Sequence, residues 1–101
     1  MCGIVSIISK NKNVKNDLIK CLKQLEYRGY DSAGIALLKD DKILSCKAVG
    51  KVKNLDDKLQ DFEDSNIGIA HTRWATHGGV NENNSNPNTS CDGVISLVHN
   101  G

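Results

Sequence analysis

The chain carries almost no excess of charge. Its 13 Lys and Arg stand against 12 Asp and Glu, a formal net charge of +1 at pH 7. A near-neutral chain lacks the electrostatic footprint of a nucleic-acid binder, and no basic block marks a membrane-binding surface. Long hydrophobic runs are missing as well. The first apolar run, Gly3 to Ile8, is far shorter than the ~20 residues of a membrane span. No basic residues precede it, so a secretory signal is not expected. Close cysteine pairs are absent: Cys2, Cys21, Cys46 and Cys91 are widely spread. Structural zinc draws on near neighbours in sequence, so neither a metal nor a cofactor is expected. Without a secretory signal, the cysteines read as free thiols in a reducing cytoplasm. There is no internal repeat and no interdomain linker.

What remains is an ordinary globular composition, 39% hydrophobic, in 101 residues. That length holds one domain, which buries roughly two-thirds of its unfolded surface. The charge is unevenly placed. Twelve of the 13 basic residues fall at or before Lys58, and the last is Arg73. Only Arg28 and Arg73 are arginine; the lysines read as a solvated surface. Arg73, beside Trp74 and isolated from other positive charge, is a candidate for a specific carboxylate contact, because a guanidinium offers a planar fork of donors. It could equally lie over the indole or hold a structural ion pair.

Hydrophobic patterning predicts alternating strands and helices. Cys2 to Ser9 reads as a buried strand, with Ile4, Val5, Ile7 and Ile8 β-branched. A turn at Asn11 to Asn13 with a cap signal leads into a helix carried by Val14, Leu18, Leu22 and Leu25. That helix runs to about Glu26 and is stopped near Gly29. Ser32 to Lys39 and Lys42 to Val49 read as strands joined by a hairpin turn at Asp40-Asp41, with Gly50 ending the second. Lys51 to Phe62 reads as a weaker helix, Ile67 to Thr72 as a fourth strand and Val94 to Val98 as a fifth. Between Gly78 and Gly93, five asparagines crowd around Pro87, the only proline. That composition predicts a long loop of the kind that often serves as a lid or binding segment. The last strand ends on His99-Asn100-Gly101. Asn-Gly usually opens a turn into a further element, so the chain is expected to be part of a longer one.

Cys2 is the first candidate for chemistry. Methionine before a small residue is commonly removed, which would leave a thiol and an α-amine on one terminal residue. The amine, with a reference pKa near ~8, can serve as a base to its own nucleophile. Position alone does not establish this, since a free cysteine is more often simply buried. Gly3 beside it would let a substrate approach the backbone closely. Two further segments, Leu25 to Ala36 and Gly68 to Gly78, concentrate Tyr, Arg, His, acids and glycines at strand ends, where chemistry commonly sits.

These residues identify a resemblance. MCGIV, LEYRGYDSAGIA, GIAHTRWATHG and VHNG, in this order, resemble the glutamine amidotransferases with an N-terminal cysteine nucleophile. Within that class the YRGYDSAG and HTRWATHG wording is similar to the glutamine–fructose-6-phosphate aminotransferase family. The phosphoribosyl-pyrophosphate type and a non-catalytic truncated module remain as alternatives. The resemblance implies an α/β (α+β) fold, a four-layer αββα N-terminal-nucleophile hydrolase sandwich with only its N-terminal part present here and the sugar-isomerase domains absent. It implies that Cys2 attacks the glutamine side-chain amide to form a γ-glutamyl thioester, its α-amine acting as base. Asn100 and Gly101 match the oxyanion hole, a side-chain amide and a backbone N–H. Arg73 matches the clamp on the glutamine α-carboxylate. Trp74, Thr76, His77 and Gly78 match a loop that folds over glutamine and excludes water. Arg28 and Gly29 match a segment supporting Cys2.

His71 and His99, within strand patterns, are expected to be structural, and Cys21, Cys46 and Cys91 have no implied role. The implied partners are L-glutamine and, only through the absent isomerase part, fructose 6-phosphate, with a homo-oligomeric full-length enzyme in the cytoplasm. Three departures stand out. Ser6 replaces a glycine, Asn86-Pro87-Asn88 replaces Asn-Pro-His, and the acidic residue that holds the glutamine α-amine lies beyond this chain. The 101-residue chain alone is therefore expected to release no ammonia from glutamine.

Overall fold

A computed structural model describes residues 2–28, 31–73, 87–90 and 96–98. Its centre is a four-stranded sheet of β1 (Gly3–Ile8), β2 (Ser32–Lys39), β3 (Lys42–Val49) and β4 (Ile67–Arg73), in the order β1-β4-β2-β3. All three pairings are antiparallel. Two helices, α1 (Lys15–Gln24) and α2 (Val52–Lys58), complete the body, and a two-residue pair, β5 (Asn88–Thr89) with β6 (Ser96–Leu97), lies apart from the sheet in hydrogen bonding. No helix among the described residues is long and apolar enough to cross a membrane.

The hairpin at Asp40-Asp41 sets the register of the sheet. Both residues have positive φ, 52° and 62°. This two-residue turn follows the twist of its strands and pairs Lys39 with Lys42. Gly50 ends β3 with φ +96°.

Side-chain alternation gives the sheet two unlike faces. Ala33, Ile35, Leu37, Ala48 and Ala70 pack with Val14, Leu18, Ile19 and Leu22 of the α1 region and Val52, Leu55 and Leu59 of the α2 region. Both helices therefore cover the same face. The opposite face carries Ile4, Ile8, Leu38 and Val49, all of them exposed. A fully buried β1 was expected from its unbroken β-branched run. The structure instead only half-buries Val5 and Ile7 on the helix side of β1, and Ile8 is 76% exposed.

The helices differ from expectation at their ends. No local side chain caps α1; its N-cap is Val14. The Lys15 amide donates instead to Asp64 Oδ1 at 3.0 Å, and the Val14 amide to the Ser65 carbonyl at 2.8 Å. The Lys15 ammonium donates to the carbonyls of Leu59 (3.1 Å) and Phe62 (2.7 Å), neutralising acceptors just past the end of α2. That helix stops at Lys58, because Leu59 and Phe62 continue as a turn. After α1 the chain tightens into a 3₁₀ turn at Glu26–Arg28. The expected stop at Gly29 lies outside the described residues. The long loop expected before the last strand contains β5, and the last strand shortens to β6.

Candidate active site

The ladders of β1, β4 and β2 converge at one end of the sheet. Gly3 pairs with Thr72, and Arg73 pairs with Ser32. Continuing the β1–β4 register by one residue sets Cys2 opposite Arg73. Ser32 in turn pairs with Val49. One transverse row thus reads Cys2, Arg73, Ser32, Val49. The next row toward the sheet centre reads Ile4, His71, Gly34, Lys47. Since Thr72, Ala33 and Ala48 belong to the helix side, the alternation of strand side chains puts both rows on the opposite face.

These rows hold an unusual set of groups for an interior. Cys2 is 5% exposed and Arg73 6%, while Ser32 and His71 are fully buried. Arginine is rarely buried unless its donors are engaged. The backbone around Arg73 is tied down: the Asp31 amide donates to the Arg73 carbonyl at 2.9 Å, and the Gly50 amide to the Asp31 carbonyl at 2.8 Å. These bonds lock the start of β2 and the end of β3 to the end of β4.

Further down the same face the surface turns apolar. A hollow of about 220 Å³ is lined by Ala36, Leu38, Ile43, Ile67, Ile69 and Ser96, among others. The far end of the sheet carries an open cleft of about 500 Å³ with Lys10, Lys12, Lys39, Asp40 and Asp64 on its walls. Its charges are mixed and belong to solvated loops, and it is remote from the Cys2 row.

Of the residues singled out in the sequence, Cys2 directly precedes β1 and Arg73 ends the neighbouring strand β4, both at one end of the sheet. Arg28 has its backbone in the 3₁₀ turn after α1. Gly29, Trp74, Thr76, His77, Gly78, Asn100 and Gly101 lie outside the described residues, as do His99 and Cys91. His71 is fully buried within β4. Sequence reasoning missed Ser32. Its signal was faint: a lone hydroxyl opening an otherwise apolar strand, Ser-Ala-Gly-Ile-Ala-Leu-Leu.

A thiol and a guanidinium at one end of a sheet can act on a substrate that offers a carboxylate at one end and an electrophilic carbon at the other. No family model matches the chain. All of it aligns with curated relatives named glutamine–fructose-6-phosphate aminotransferase (isomerizing). The identity is 52% to the protein of Acinetobacter baylyi, where the chain covers 16% of the relative. It is 51% to that of Pyrococcus horikoshii and 50% to that of Clostridium acetobutylicum, with 17% of each relative covered. The chain thus spans about one sixth of the length of the relatives it matches. Over that segment it is related to an enzyme family, and it is a fragment relative to those proteins.

Proposed function

We propose that this chain is the nucleophile-bearing part of a glutamine amidotransferase domain, which splits L-glutamine into glutamate and ammonia. The observation that carries this reading is that Cys2, just before β1, and Arg73, at the end of the neighbouring β4, are both buried at one end of the sheet. Adjacent strands stand ~4.8 Å apart. The α-carboxylate carbon of glutamine lies ~5 Å from its side-chain amide carbon, by ordinary bond lengths. A substrate this short can be held by its carboxylate at one of these residues and attacked at its amide carbon by the other.

The chemistry follows from those two groups. With Met1 removed, the Cys2 α-amine takes the thiol proton, and the thiolate attacks the amide carbon. The tetrahedral oxyanion is held by the Asn100 side-chain amide and the Gly101 N–H. The protonated amine returns its proton to the leaving nitrogen, ammonia departs, and a γ-glutamyl thioester remains. Water then attacks the thioester, the amine again acting as base, to release glutamate and the thiol. Two donors aimed at the oxyanion contribute most of the stabilisation in such reactions. Trp74, Thr76, His77 and Gly78 close over the bound amino acid, and Arg28 and Gly29 hold the terminal residue in position.

The whole protein is read as a cytoplasmic, homo-oligomeric enzyme that delivers this ammonia to fructose 6-phosphate, in line with the names of the relatives. The exposed Ile4, Ile8, Leu38 and Val49 on the face opposite the helices favour the αββα sandwich, in which a second sheet packs there. The test is Cys2→Ala in the whole protein. Glutamine hydrolysis should fall by at least 10³-fold, the scale for loss of a nucleophile, while binding of glutamine persists. Turnover that survives this substitution, or a mature protein that keeps Met1 and remains active, overturns the proposal.

A further inference from the structure

Ser32 opens β2 in the same transverse row as Cys2 and Arg73 and is fully buried. Its Oγ has no hydrogen-bond partner among the described residues. A buried hydroxyl left unpaired costs free energy, so its retention calls for a partner that arrives later. Two other hydroxyls share this state, those of Thr72 and Ser96. Thr72 belongs to the helix side of the sheet, over Gly3. Ser96 borders the apolar hollow. Only Ser32 stands directly opposite Arg73, and side chains so paired have Cβ atoms ~5 Å apart on a common face.

We propose that the Ser32 hydroxyl is a further substrate-binding group, donating a hydrogen bond to the same α-carboxylate that Arg73 engages. This rests on the glutaminase reading and deepens it. A carboxylate has about four lone-pair sites, and a bidentate guanidinium occupies two of them. The remaining sites need donors, and Ser32 supplies one from the strand next to Arg73. Ser32 thereby helps select an α-amino acid over a simple amide, and it contributes nothing to the reacting carbon.

The experiment compares Ser32→Ala with the unaltered whole enzyme. Steady-state hydrolysis should show KM for glutamine raised about tenfold or more, the scale of one hydrogen bond to a charged group, with kcat changed far less. Alkylation of Cys2 by a chloroketone analogue of glutamine, which carries the α-carboxylate, should slow by a similar factor. Alkylation by iodoacetamide, which carries none, should not change. Ser32→Cys, close in shape but a weaker donor, should fall between. A thermal melt no lower than the parent's is expected, because the variant removes an unsatisfied group. An unchanged KM, or equal slowing with both reagents, overturns the assignment and leaves the glutaminase reading standing. Undiminished turnover in a parallel Cys2→Ala variant removes both.

Discussion

Gly3 and Thr72 stand opposite each other in the β1–β4 ladder, and a Cβ on Gly3 would lie 2.8 Å from the Thr72 hydroxyl oxygen. It would also meet the Leu25 Cβ at 2.9 Å and its Cδ1 at 3.1 Å. The hydroxyl can rotate away. The Leu25 Cβ cannot, because its backbone caps α1 through bonds to the Cys21 and Leu22 carbonyls. Adding one carbon at residue 3 therefore moves either the helix end or the strand that begins with Cys2. Gly3→Ala is expected to cost about 1–3 kcal/mol, as overpacking does, and Gly3→Val more. Urea unfolding measures the first effect. The rate of Cys2 alkylation should change with it, since the thiol is the adjacent residue.

The hairpin of β2 and β3 was legible residue by residue, because its determinants are local. The Asp-Asp turn fixes pairing over eight residues on each side, and Gly50 punctuates the end. The start of α1 was not legible. Its cap is Asp64, 49 positions away along the chain, and no pattern around Asn11 to Asn13 could reveal that. The open side of β1 escaped for a related reason: Ile4 and Val5 read alike, and only the helices decide which one is covered. At the site, the isolation of Arg73 in the charge map made it a candidate for a specific contact, with a structural ion pair as the other reading. Ser32 gave no such sign, because its significance lies in the β2–β4 register that sets it beside Arg73.

Removing the distant cap should loosen α1 without touching the chemistry. Asp64 Oδ1 accepts from the Lys15 amide at 3.0 Å and from the Ser65 amide at 2.8 Å. Asp64→Ala leaves both donors to water and takes an anion from the N-terminus of the helix. The expected loss is about 1 kcal/mol of stability, seen as a lower urea midpoint. Asp64→Asn keeps the acceptor oxygen and should retain most of it. Glutamine hydrolysis should be unaltered in either variant, since Asp64 lies at the opposite end of the sheet from Cys2.

Gly50 should resist substitution for two separate reasons. Its φ is +96°, a region that residues with a side chain adopt only with strain. An added Cβ would also come within 2.5 Å of the Asn54 amide nitrogen, which donates to the Val49 carbonyl at 3.0 Å. Strain and a displaced hydrogen bond together are expected to cost about 2 kcal/mol in Gly50→Ala. Asn54→Ala in the same background relieves the contact but not the backbone strain. The double variant should therefore recover part of the loss and no more, as equilibrium unfolding of the single and double variants would show.

Arg73→Lys separates charge from geometry at the site. The side chain is 6% exposed, and its backbone is fixed by the Asp31 amide, so a lysine at this position keeps the positive charge but cannot wander to another anchor. It offers a single ammonium where the guanidinium offers two parallel donors. One charge-assisted hydrogen bond to the carboxylate is lost, worth about 1.5–3 kcal/mol. That corresponds to roughly a ten- to hundredfold rise in KM for glutamine. Because Arg73 touches the end of the substrate remote from the reacting carbon, kcat should fall much less than kcat/KM, and iodoacetamide should still label Cys2 at the parent rate. A fall in kcat alone, with KM unchanged, would mean that Arg73 acts on the thiol and not on the carboxylate.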